Sequence, residues 1–193
     1  MNTYWFDLEV SGPVTDDHVE ALGDVLTAAG GIDATVQADE RGGVVMFVRE
    51  ADDAIQAVIS AIEDVTAAGI TVMSVTEDLV VTDEIAERAK VTPAAVRYWI
   101  SGARGPGGFP APKVRRQRAS LYSWAEVSTW LAAAKLGEVD YQAAQVAYAC
   151  ALVNAALTVR NGMRELPAHD RPLLARLVAE SRLRAGVRKE GAS

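Results

Sequence analysis

Two hydrophobic rhythms alternate through the first 75 residues and leave few folds open. Tyr4, Phe6, Leu8 and Val10 recur at every second position, the strand period. Val19, Leu22, Leu26 and Ala29 then follow the helix period, and Gly30-Gly31 ends that run. Ile32, Ala34, Val36 and Ala38 alternate again, ERGG turns the chain, and VVMFV (44–48) predicts the next strand. Ile55, Val58, Ile59, Ile62 and Val65 predict a second amphipathic helix closed by Gly69, and ITVMSV (70–75) a last strand. The order βαββαβ predicts a ferredoxin-like domain over residues 1–78, with two helices on one face of a four-stranded antiparallel sheet. That fold hosts many functions and names none.

Charge divides the chain into unlike parts. Its net charge is −7, but residues 1–81 hold 16 acids and 2 cations, a net of −14. Residues 82–136 hold 9 Lys and Arg against 4 acids, a net of +5, and residues 137–193 a net of +2. Such asymmetry predicts modules with different partners. A polyanion is repelled by the first third and attracted by the middle.

The middle third, residues 79–137, reads as helix, turn, helix, then a basic loop. TDEIAERA (82–89) predicts a short helix with Thr82 as N-cap. After KVT a second helix starts, with Thr92 as N-cap and Pro93 in its first turn. This is a helix-turn-helix pattern without the common glycine in the turn. On a wheel of about 100° per residue, Ala95, Val96, Trp99 and Ile100 share one side and can dock on Ile85 and Ala89. Ala94, Arg97, Tyr98 and Ser101 share the other. That outer side is small, cationic and hydrogen-bonding, as a major-groove helix must be. Seven glycines and prolines between Gly102 and Pro112, with Arg104 among them, stop the helix. KVRRQRASLY then sets Lys113, Arg115, Arg116 and Arg118 within six positions. A hairpin so charged suits a phosphate backbone. SWAEVSTWLAAAKLG predicts a further helix, with a Ser123–Glu126 capping box, a face of Val127, Trp130, Leu131 and Ala134, and Gly137 as its stop.

From Leu79 to Leu136 these pieces together resemble the winged-helix DNA-binding domains of the MerR superfamily, particularly the excisionase and AlpA-like branch. VTPAAVRYWI resembles that family's recognition helix, GGFPAP its entry to the wing, and LYSWAEVSTWL the wing exit and the helix behind it. The resemblance covers about 58 of 193 residues. It implies that Arg97 and Tyr98 are recognition-helix contacts and that Arg115, Arg116 and Arg118 are wing contacts. Around them Thr92, Ala94, Ser101, Arg104 and Lys113 complete the expected DNA-binding set. The insert ARGPG and the long KVRRQRAS tip make this wing larger than is typical of the family.

The last third, residues 138–193, predicts a helical hairpin, with helices near 140–160 and 171–188 and Asp170 as the second cap. The second helix is expected to bury Leu173, Leu174, Leu177 and Val178. The first is apolar on nearly every side and must be covered on every side. Two arrangements do that: a homodimer through Tyr148, Leu152 and Leu157, or the N-terminal domain folded back over the helix. The apolar run 143–159 is short for a membrane span and contains Gln145 and Asn154, so no membrane partner is expected. MNTYWFDLEV lacks the basic start of a signal peptide. Cys150 is the single cysteine, which excludes an internal disulfide and multi-cysteine metal sites. GARGPGG lacks the Lys-Ser or Lys-Thr of a phosphate-binding loop, and His18 and His169 lie in different modules. The expectation is therefore a cytoplasmic transcriptional regulator that binds double-stranded DNA as a homodimer, with no enzymatic activity and no cofactor. Two alternatives stand beside it. One is an excisionase-like architectural factor in recombination. The other is a protein- or small-ligand-binding acidic domain that the helix-turn-helix anchors on DNA.

Overall fold

Alternation in β1 (Asn2–Ser11) sends Tyr4, Phe6, Leu8 and Val10 to one side, where all four are buried. Its neighbours are β2 (Ala34–Asp39), β3 (Gly42–Ala51) and β4 (Val72–Val75). They form one antiparallel sheet in the order β2-β3-β1-β4. Helices α1 (Asp16–Ala29) and α2 (Ala54–Ala67) pack together, and α2 touches β1, β3 and β4. The computed structural model describes residues 1–116 and 119–186. The chain is α+β and forms two units, Met1–Asn154 and Ala155–Ser193.

The helix faces differ from the periodicity in one respect. Val19 and Ile59 are exposed, while the small Ala57 and Ala61 join Val58, Ile62 and Val65 in the core. Close packing against a sheet favours small side chains there. Ile32 is also exposed, because β2 starts two residues later.

One cation lies on the buried side of β3. Arg49 follows Val45 and Phe47 in the strand period and is 8% exposed. Its Nε and Nη2 donate to Asp33 at 2.6 and 3.0 Å, and its Nη1 to Ser60 at 3.0 Å. Asp64 lies 2.8 Å from Nη2. Burial alone disfavours the charge, but the bonds to Asp33 and Asp64 outweigh it and hold the Arg49 pKa above its ordinary value.

In the middle third, β5 (Leu79–Val80) leads into α3 (Thr82–Arg88) and α4 (Pro93–Ser101). A hairpin of β6 (Val114–Arg115) and β7 (Ser120–Ser123) follows, then α5 (Trp124–Ala134). The three strands pair in the order β5-β7-β6. Ile85, Ala89, Val96, Trp99, Tyr122, Val127 and Leu131 share one core.

Three end signals act differently from expectation. Val81, not Thr82, is the N-cap of α3, and Glu84 Oε2 accepts from its N–H at 2.9 Å. Ser123 makes no side-chain cap on α5, since Glu126 is turned toward Lys113. Helix α5 stops at Lys135, which adopts the left-handed conformation (φ 54°) two residues before Gly137. Gly137 serves a close approach instead, because a Cβ there would sit 2.7 Å from the Ala89 carbonyl oxygen. The turn between α3 and α4 uses Lys90 (φ 52°) in the left-handed region, where a glycine is more usual.

Helix α6 (Tyr141–Glu165) begins under an Asp140 cap, whose Oδ1 accepts from the N–H groups of Gln142 and Ala143. It is long and apolar enough, by composition, to cross a membrane. Here it seals a sheet edge. Strand β4 pairs with only the second half of β1. Beside the first half, Gln142 Nε2 donates to the Thr3 carbonyl. At β4, Asn154 Oδ1 accepts from the Val75 N–H and Nδ2 donates to the Val75 carbonyl, both at 2.7 Å. Asn154 thus imitates a paired strand residue at an edge that otherwise exposes unpaired backbone. Ala147, Ala149, Cys150 and Val153 are buried. The first unit accordingly runs through Asn154, past the expected boundary at 138. Helix α7 (Arg171–Gly186) does not bury its leucines as expected: Leu173, Leu177 and Val178 are exposed.

Candidate nucleic-acid interface

Helix α4 is fixed at both ends. Thr92 Oγ1 accepts from the Ala95 N–H at 3.2 Å, and Pro93 stands in the first turn. Gly102 (φ 70°) closes the helix and donates its N–H to the Trp99 carbonyl. Val96 and Trp99 are buried in the core shared with α3. The same rotation leaves Thr92, Ala94, Arg97, Tyr98 and Ser101 exposed. Ile100 does not join the buried side. It is 36% exposed.

Tyr98 is the centre of that exposed face. The Arg104 guanidinium lies 4.9 Å from its ring centroid, a cation–π distance. The Ser101 hydroxyl donates to its carbonyl oxygen at 3.2 Å, and the Arg104 N–H to the same carbonyl at 3.3 Å. The Ser101 proton is therefore engaged within the helix, while its oxygen can still accept.

The glycine- and proline-rich loop is held by aromatic side chains. Trp130 Nε1 donates to the Gly107 carbonyl at 2.9 Å. Phe109 meets Trp130 and Tyr122 edge-on, at 5.0 and 5.7 Å between centroids. Trp130 in turn lies 5.5 Å from Trp99. The buried side of α4, the loop and the base of the hairpin thus share one aromatic cluster. Sequence reading placed Trp130 on the buried face of α5 but missed that it grips the loop. Phe109, a lone aromatic among glycines and prolines, was the available signal.

In the hairpin Val114 pairs with Leu121 and Arg115 with Ser120. The Arg116 N–H donates to the Ala119 carbonyl at 3.2 Å and tightens the turn. Arg115 and Arg116 are exposed. Among the described residues, neither they nor Arg97 pair with a carboxylate. Lys113 departs from its expected role. Its Nζ lies 2.5 Å from Glu126 Oε1, and that bond raises its pKa above the ordinary value. Its charge is already answered by α5. Arg118 lies outside the described residues.

Of the residues expected at a dimer interface, Tyr148 and Leu152 are exposed on α6. Leu157 is not, being 5% exposed within the single chain. Tyr148 also lines a groove of about 660 Å³ between α2, α5 and α6. Burial pushes the Cys150 thiol up to about 12, which makes it a packing residue rather than a nucleophile. Among the described residues, no cluster of His, Cys, Asp and Glu suits a metal ion. No family model, curated protein or solved structure matches the chain.

Proposed function

We propose that this chain is a DNA-binding regulator that inserts α4 into a major groove and lays the β6–β7 hairpin along the phosphate backbone. The observation that carries the reading is the exposed, carboxylate-free set of Arg97, Arg115 and Arg116 on two elements built over one aromatic core. Helix α4 has nine residues, and Ala94 near its start permits close approach to a groove about 12 Å wide. Arg97 is the candidate for bidentate contact with a guanine, and Tyr98 and Ser101 for phosphate contacts. The strand order β5-β7-β6 beside the helix pair supports a winged helix, and the order β2-β3-β1-β4 supports a ferredoxin-like first domain. The polar seal of α6 on the sheet edge supports a packing role for that helix rather than a membrane span. A short recognition helix reads few bases, so a homodimer on a repeated or palindromic site completes the proposal.

The test is binding to a duplex selected from a random pool. Arg97→Ala should cost about 1–3 kcal/mol on the best site and relax the preference at one base pair. Unchanged affinity and unchanged preference would remove α4 from the groove.

A further inference from the structure

The sheet of the first domain has two edges, and the chain treats them differently. The β4 edge is closed by Gln142 and Asn154 of α6. The β2 edge is built otherwise. The Val48 N–H donates to the Asp33 carbonyl, and the β2–β3 register then runs on without a shift. Backbone groups alternate sides along an antiparallel strand, so Thr35, Gln37 and Asp39 spend theirs on β3. The N–H and C=O of Ala34, Val36 and Ala38 therefore point outward. Among the described residues no hydrogen bond reaches them. Proline, lysine or a bulge ordinarily blunts such an edge. From Ala34 to Ala38, β2 has no proline, no charge and no bulge.

An edge of this kind takes another strand, because only a strand brings N–H and C=O groups in the matching alternation. The described residues beyond Asn154 form helices and the turn between them, and helix backbone bonds are internal. Wherever they lie, they offer this edge no strand. The other strands of the chain already pair within the two sheets.

The edge is also suited to its own copy. About Val36 the segment ATVQA runs small, polar, valine, polar, small in either direction. Laid antiparallel on a second β2 with valine opposite valine, each Ala34 faces an Ala38 and each Thr35 a Gln37. All the outward groups of Ala34, Val36 and Ala38 then meet counterparts. These three side chains are half-buried and small enough for close approach, while Thr35 and Gln37 are exposed and can hydrogen-bond across the pair. The same register sets Asp33 opposite Asp39, a like-charged pair. Asp33 is already bound to Arg49. Arg41, the only other cation of residues 1–81, is exposed in the turn just past Asp39 and becomes a diagonal neighbour of that Asp33.

We propose that β2 pairs with β2 of a second copy across a two-fold axis, joining two sheets into one, and that this is the dimer contact. It rests on the homodimer of the reading above but not on DNA binding. It moves the interface from α6 to the acidic domain.

Sedimentation of full-length variants tests the contact, with urea unfolding to verify that each is folded. Val36→Pro removes an outward N–H that β3 does not use, and should be monomeric. Thr35→Glu with Gln37→Glu sets carboxylates opposite one another at exposed positions, and should also be monomeric. Adding an equal amount of Thr35→Lys with Gln37→Lys should restore a dimer containing one copy of each. Because two acidic domains meet, the wild-type dimer should tighten roughly threefold between about 0.05 and 0.5 M salt. A wild-type monomer would overturn both the proposal and the homodimer it rests on. A glutamate variant that stays dimeric would overturn the edge contact alone and leave the homodimer to another surface. A wild-type dimer that salt loosens would do the same, since it marks an acidic surface against a basic one. Should the proline unfold the sheet, the exposed glutamates carry the test. DNA affinity for single half-sites is unmoved by any of these changes, so failure here is distinguishable from failure of the DNA-binding reading.

Discussion

The acidic sheet and the basic helix–hairpin region treat their minority charges in opposite ways. In the sheet, Arg49 is drawn inside and shared between Asp33 and Asp64. The remaining carboxylates are left to the surface. In the basic region the minority acid Glu126 stays outside and holds Lys113, while Asp78, from the acidic side of the boundary, holds Arg88 at 2.5 Å. Glu138, just beyond the other end of the region, holds Lys90. Regional net charge is thus only the first filter on the proposed DNA contact, and local pairing decides which cations remain for it. Of the nine cations between residues 82 and 136, Arg88, Lys90 and Lys113 hold carboxylates, Arg104 stacks on Tyr98 and Lys135 ends α5, which leaves Arg97, Arg115 and Arg116 as the clearest candidates among the described residues.

The comparison breaks most visibly at Arg49. Replacing it with leucine leaves an apolar side chain in the same place but strands Asp33 and Asp64, which are only about a fifth to a quarter exposed. Uncompensated buried carboxylates of this kind cost about 3 kcal/mol, somewhat below the figure for fully buried pairs because water reaches them. Arg49→Lys should also destabilise, since one ammonium cannot span Asp33, Asp64 and Ser60. Urea unfolding measures both. An Arg49→Leu variant as stable as wild type would mean that the acidic region does not depend on its single interior cation.

How far such features can be read from sequence depends on whether their partners are local. The strand faces of β1 and β3 were legible because a period of two maps directly onto a buried side, and Tyr4, Phe6, Leu8 and Val10 obey it. Arg49 was legible in principle, since it shares the parity of Val45 and Phe47. The helix faces were less so, because Ala57 and Ala61 carry contacts that larger neighbours such as Ile59 advertise more loudly. At the interface, the caps of α4 and the outward Arg97 and Tyr98 followed from local rules. The loss of Lys113 to Glu126 did not. It depends on the hairpin lying against α5, and each residue had a plausible local role of its own.

The α6 seal lay further still from local reading, because Asn154 finds Val75 across 79 positions. It is the point where the acidic region is closed by a residue from outside it. Asn154→Leu should cost about 2 kcal/mol, the penalty for leaving the Val75 N–H and carbonyl unanswered at a half-buried edge. Asn154→Asp keeps an acceptor for the N–H but sets a carboxylate against the carbonyl, and should recover little of that. Denaturant unfolding together with hydrogen exchange at the Val75 amide checks the claim. Unchanged exchange at Val75 would show that the edge does not need its polar seal.

The smallest expected effect sharpens the comparison furthest, because it asks whether pairing really withdraws a cation from DNA. Neutralising Arg115 and Arg116 together should lower the slope of log affinity against log salt by up to about 2, since each phosphate contact releases counterions. Lys113→Gln should leave that slope nearly unchanged, because Glu126 already holds the ammonium. Glu126→Gln should then do the reverse. It frees Lys113, whose pKa relaxes toward the ordinary lysine value and so stays far above neutral pH. The ammonium remains charged and becomes available to a phosphate beside the hairpin. The slope should rise by up to about 0.9, and affinity at low salt should rise modestly with it. Because the substitution also removes a negative charge near the DNA, the double variant Lys113→Gln, Glu126→Gln is the control. It should keep any gain due to lost repulsion and lose the added slope. If Lys113→Gln alone flattens the slope as much as either arginine does, the ion pair opens on DNA and Lys113 returns to the set of phosphate contacts.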